Sequence, residues 1–121
     1  ISGITYGANF AKGGKARAEI YLDPSATPGV NKRLFDSLLQ REHEIRADFG
    51  GTLEWERLDN RRACRIAITC PGRIQDDAPQ LKAIEDWMVQ QLLKLKESLM
   101  PKVMEAWQDL PDAEPSEDDE H

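Results

Sequence analysis

The sequence predicts a two-layer α+β domain: a four-stranded antiparallel sheet with two helices on one face, in the order strand, strand, helix, strand, strand, helix (ββαββα). Three observations carry this. Apolar and polar residues alternate in two pairs of short runs, each pair turns around a glycine or Asp-Asn signal, and each pair is followed by an apolar stripe at helical spacing.

In the first pair Ile4, Tyr6, Ala8 and Phe10 alternate with Thr5, Gly7, Asn9 and Ala11. The run "KGGK" at 12–15 supplies a Gly-Gly hairpin turn. Beyond it Ala18, Ile20 and Leu22 alternate with Arg17, Glu19 and Tyr21. "DPSATPGVN" at 23–31 then takes the chain out of the sheet, and Asn31 is the expected N-cap of the first helix. That helix places Leu34, Phe35, Leu38, Leu39, Ile45 and Phe49 on one stripe and ends at Gly50-Gly51.

The second hairpin is expected over 52–58 and 62–70, turning at Asp59-Asn60. Cys64, Ile66, Ile68 and Cys70 form its apolar row, and Pro71-Gly72 closes it. Asp76-Asp77 with Pro79 opens a long helix on the stripe Leu81, Ile84, Met88, Leu92, Leu95 and Leu99. Pro101 is expected to kink this helix or to begin a short terminal one through Trp107.

Length and composition fit one domain over 1–107, followed by a disordered acidic tail over 108–121. Of the 22 acidic residues seven follow Trp107, so the remaining 15 nearly balance the 16 Lys and Arg. Bulk charge therefore neither demands nor excludes a nucleic-acid partner. Cys64, Cys70, His43 and His121 have no metal-ligand spacing, so no metal or other cofactor is expected, and the two cysteines read as buried reduced thiols of a cytoplasmic protein. No apolar run reaches the roughly 18 residues of a membrane span. The chain begins in mid-pattern at Ile1, and the expectation is a domain of a longer protein.

If both hairpins turn their apolar rows toward the helices, the opposite face is left open. It carries Thr5, Asn9, Arg17, Glu19, Tyr21, Glu54, Glu56, Arg65 and Thr69. Cross-strand pairing worth about 0.2–1 kcal/mol per pair accounts for such charges without any function. A sharper reading takes Arg17, Glu19, Tyr21, Glu54, Glu56 and Arg65 as a binding face. A third gathers Glu19, Asp23, Glu54 and Glu56 as ligands for Mg²⁺ or Mn²⁺, although the E-x-E run lacks the lysine that metal nucleases commonly place beside their acids. Nucleophilic triad chemistry has only His43 within the folded body, between Glu42 and Glu44. Lys12, Lys15, Arg61, Arg62 and Arg73 could form a basic edge for nucleic acid, with Tyr21 as the only aromatic on the open rows for base stacking. An open face also suits another domain or a second copy of the chain.

The runs "ARAEIYLD", "NKRLFDSLL" and "LEWERLDNRRACRIAI", with the long final helix, resemble the domain-of-unknown-function (DUF) family 4268 over roughly residues 1 to 105. Arg17, Glu19, Tyr21, Asn31, Lys32, Trp55, Glu56, Arg57 and Arg65 match the family's pattern. The resemblance implies a C-terminal module of prokaryotic proteins, some with a restriction-endonuclease-like domain upstream. It brings no catalytic residues. The resulting expectation is a non-catalytic recognition or assembly module, nuclease- or defence-related, working through its open sheet face. Its expected partners are other domains of the same protein, a second copy, or nucleic acid held weakly and with salt sensitivity. The competing expectation is a metal-dependent nuclease-like enzyme built on the carboxylates.

Overall fold

Period-2 alternation becomes strand in both halves of the chain, and the computed structural model describes residues 2–110. Strands β1 (Ile4–Ala11) and β2 (Lys15–Leu22) form the first hairpin, with Gly13 and Gly14 at φ of 86° and 71° in its turn. Strands β3 (Glu54–Glu56) and β4 (Cys64–Pro71) form the second, and the sheet order is β1-β2-β4-β3 with every neighbouring pair antiparallel. The second hairpin differs from expectation in one respect. Its first strand is only three residues long, and 57–63 is a shaped loop instead of a tight turn.

Ala16, Ala18, Ile20 and Leu22 of β2, with Cys64 and Ile66 of β4, are buried on the helix side. Leu53 joins them, and Trp55 packs edge-on against Phe35 with ring centroids 5.8 Å apart. Burying such side chains contributes roughly 1.5–3 kcal/mol each, the largest favourable contribution to the fold. On β1 the inward row is only partly covered: Ile4 and Tyr6 pack on the main core and Phe10 on a smaller cluster with Ala16, Ile84 and Met88, while Ala8 stays exposed. That is the behaviour of an edge strand.

The first helical stretch is two helices, α1 (Pro28–Leu39) and α2 (Glu42–Phe49), where the sequence predicts one. A continuous stripe through Leu38 and Ile45 would need an apolar residue at 41 or 42, and Arg41 and Glu42 stand there. The chain breaks at that gap. Arg41 takes φ −104° and ψ 22°, and its guanidinium binds Glu44 at 3.2 Å and Glu105. Leu39 at the break is exposed, not core. Gly50 in the left-handed region (φ 81°) closes α2, as expected.

The start of α1 is also corrected. Pro28 occupies the first turn, where its missing N–H costs nothing, and Thr27 is the N-cap. Asn31 therefore lies inside the helix, fully buried.

Helix α3 (Ala78–Asp109) opens at the Asp77 N-cap, whose carboxylate accepts from the Gln80 N–H at 3.1 Å. Its buried stripe runs Ile84, Met88, Leu95, Leu99, Val103 and Ala106. Pro101 neither ends it nor starts a new helix. It sits on the exposed side, and the helix continues past the one main-chain hydrogen bond that its missing N–H removes. The helix therefore passes the expected domain boundary at 107, and the remainder of the expected acidic tail lies outside the described residues. Gly72 lets the start of α3 close onto the sheet, since a Cβ there would lie 2.7 Å from Ile84 Cδ1. All three helices pack on the apolar side, so the fold is the expected two-layer α+β arrangement with one sheet face open.

Candidate functional site

The strand register sets out the open face as a grid. Thr5, Tyr21, Arg65 and Glu56 form one cross-strand row, Gly7, Glu19, Ala67 and Glu54 the next, and Asn9, Arg17 and Thr69 a third. The expected binding-face residues Arg17, Glu19, Tyr21, Glu54, Glu56 and Arg65 thus do share one surface.

Their charges are largely spent on one another. Glu19 lies at the centre with Arg17 Nε at 3.1 Å and Arg65 Nε at 3.2 Å from its Oε1. Arg65 Nη1 donates to Glu56 at 2.9 Å, and Arg17 Nε donates to Asn9 at 3.0 Å. Glu54 accepts from the Thr69 hydroxyl at 2.7 Å. The Glu19 and Arg65 side chains are only 12% and 14% exposed, although no helix lies over them. Gly7 and Ala67 on either side of Glu19 have little or no side chain, which lets the charged groups fold down onto the sheet and cover Ala67 completely. Glu19 Oε1 and Arg65 Nε lack a well-aligned hydrogen bond even so, which makes this contact chiefly a charge-to-charge one.

The four acids of the metal reading do not converge. Asp23 turns away from the face: Arg62 donates to both its oxygens, at 2.8 and 2.7 Å, and Asn31 donates at 3.0 Å. Hydrogen bonds from Arg62 hold the Asp23 carboxyl below its ordinary value. Among the described residues no group of three or more His, Cys, Asp and Glu is arranged to hold a metal ion. His43 is exposed on α2, away from the sheet.

The expected basic edge divides three ways. Arg62 is committed to Asp23. Arg73 lies on the far side of the β1–β2 turn against Gly14, in a depression of about 490 Å³. Lys12, Lys15 and Arg61 join Arg17 and Arg65 around a shallow depression of about 530 Å³ on the open face, with Glu54 its only lining acid. Lys12, Lys15 and Arg61 are exposed, and none of their side chains makes an ion pair or hydrogen bond with another described residue.

Arg61 is held over the sheet by a feature that the sequence reading misses. The Lys32 ammonium, 9% exposed, donates to the carbonyls of Arg57, Leu58 (2.9 Å) and Ala63 (2.8 Å). Its three N–H groups are thereby matched by three main-chain acceptors of one loop. Asn31 adds a bond to the Arg62 carbonyl at 3.1 Å and joins the loop to Ser25, whose N–H it accepts at 2.9 Å and whose carbonyl it donates to at 2.9 Å. Arg57 closes the outside through a two-pronged pair with Asp36 (3.0 Å each) and a contact with Asp59. The signal was available: once the helix starts at Pro28, Asn31 falls three, four and seven positions before Leu34, Phe35 and Leu38, a polar residue on the apolar stripe.

The architecture defines a class: an open-faced α+β domain whose sheet is self-neutralised at its centre and basic at its rim. A family model described as "Domain of unknown function (DUF4268)" matches residues 1–102, most of the chain, and the protein belongs to that family. No curated protein and no solved structure matches it. No helix among the described residues is long and apolar enough to cross a membrane.

Proposed function

We propose that this domain is a non-catalytic recognition or assembly module of a larger prokaryotic cytoplasmic protein, nuclease- or defence-related, and that it works through the open face of its sheet. The observation that carries the reading is the set of cations without side-chain partners among the described residues, Lys12, Lys15 and Arg61, around a face whose other charges, Glu54 apart, are paired. The loop that carries Arg61 is clamped by the buried Lys32, so this free arginine is held over the sheet by a rigid frame. Surface-exposed loops on rigid scaffolds are where binding residues collect. The competing metal-dependent enzyme would need Glu19, Asp23, Glu54 and Glu56 together, and each is already engaged: Glu19 and Glu56 share Arg65, Asp23 is bound by Arg62, and Glu54 accepts from the Thr69 hydroxyl.

Hydroxyl-radical footprinting of the full-length protein, alone and with its partners, tests the reading. Tyr21 on the open face is expected to be labelled less than in this domain alone, while Trp107 on the helix side is unchanged. Equal labelling of Tyr21 in every state would overturn it.

A further inference from the structure

We propose that the basic depression on the open face takes the phosphodiester backbone of a nucleic acid, with Lys12, Lys15 and Arg61 as the phosphate contacts. The inference rests on the open-face reading above and names its ligand.

Charge is the first step. Arg17 and Arg65 line the floor but are paired with Glu19 and Glu56, so they add little net potential. The attraction comes from Lys12, Lys15 and Arg61, whose side-chain donors have no partner among the described residues and which outnumber the one lining carboxylate, Glu54. Two ammonium groups and a guanidinium with no carboxylate partners suit phosphate oxygens, which accept from both.

Length is the second. Lys15 and Arg17 line the depression on β2, and Arg65 lines it with a guanidinium that reaches back to Glu19, so it runs from Lys15 to the level of Glu19 along β2. At about 3.3 Å per residue that is about 13 Å, and over that length of helix axis one strand of B-form DNA, with a phosphate per 3.4 Å of rise, presents about four phosphates. Lys12 and Lys15 at the turn and Arg61 on the 57–63 loop stand at separate points of this rim, which suits a polymer of regularly spaced charges better than a single small anion.

The third step concerns what is missing from the face. Phe10 is the one aromatic that borders the depression, Tyr21 the one on the open rows, and the Thr69 hydroxyl is already donated to Glu54. With so few groups for base stacking or base edges, contact is with the backbone and carries little sequence preference.

The test is fluorescence anisotropy of the full chain with a labelled oligonucleotide of about 20 nucleotides, single-stranded and duplex. Three phosphate contacts give a log–log salt slope of about −2.1 for a single strand and about −2.7 for a duplex, so affinity should fall about 20- to 40-fold between about 50 and 200 mM salt. The triple variant Lys12→Ala, Lys15→Ala, Arg61→Ala should lose the anisotropy change. A control with the same change of charge on the helices, Arg46→Ala, Lys82→Ala, Lys96→Ala, should keep it. All six side chains are exposed, so both variants should fold, which circular dichroism checks. Absence of binding, retention by the first triple, or equal displacement by polyglutamate overturns the nucleic-acid assignment. Protection of Tyr21 in the full-length protein together with no oligonucleotide binding would leave the open-face reading standing and sink only this inference.

Discussion

The ammonium of Lys32 donates to the Leu58 carbonyl at 2.9 Å, joining α1 to the one non-glycine among the described residues with a positive φ, 54°. A left-handed leucine costs roughly 1–2 kcal/mol, and it persists here because the surrounding clamp leaves the loop no alternative.

Replacing Lys32 by Met keeps the buried hydrocarbon stem and removes all three donors. The carbonyls of Arg57, Leu58 and Ala63 then lose their partner. A loss of about 2–4 kcal/mol is expected, read as a lower midpoint in urea at unchanged slope. Lys32→Arg should recover less than half, because a planar fork cannot meet three converging acceptors as a tetrahedral ammonium does. A loss under about 0.5 kcal/mol for Lys32→Met would show that the loop is held by Arg57 and Asn31 instead.

Asp23 gives the fold a specific acid sensitivity. Its carboxyl is held below its ordinary value by Arg62, so its contribution is present at neutral pH and is lost as pH falls through that depressed value. Asp23→Asn should be less stable than the parent at pH 7, and the difference should shrink steadily below about pH 4. Thermal unfolding across that range measures it. A gap that widens with acid would contradict the assignment.

The two thiols should differ in reactivity. Cys64 is fully buried and Cys70 only partly, and burial raises both thiols above their ordinary values, with the Lys32 ammonium opposing the effect at Cys64. Alkylation at neutral pH, followed by mass spectrometry, should modify Cys70 at least about tenfold faster than Cys64 and leave both slower than a free thiol. Equal rapid labelling would mean that β4 opens in the native state.

Much of the fold was legible because two periodicities do most of the work: the alternation from Ala16 to Leu22 and from Cys64 to Ile68, and the stripe from Ile84 to Leu99. What escaped was punctuation. The break at Arg41 is a gap in a stripe, easily bridged when counting from Leu38 to Ile45. The start at Pro28 was hidden because Asn31 is a plausible cap, and that shift concealed the inward position of Asn31 and Lys32.

The site was legible in its rows but not in its pairings. Alternation alone places Glu19, Glu56 and Arg65 on one face, whereas knowing that Arg65 stands beside both acids needs the register of β4 against β2 and β3. Asp23 looked like a continuation of the outer row, yet the strand ends at Leu22 and Arg62 draws the carboxylate aside. Arg61, Arg62 and Arg73 look equivalent in sequence. The structure commits Arg62 to Asp23, sets Arg73 beyond the β1–β2 turn, and leaves Arg61 alone of the three on the open face.

The 57–63 loop is gripped through carbonyl oxygens of Arg57, Leu58, Arg62 and Ala63, atoms that every amino acid possesses. Such a grip is indifferent to what the intervening side chains are. Asn60 and Arg61 are therefore positions that descendants of this protein can exchange without refolding, so a change of partner can evolve on an unchanged frame.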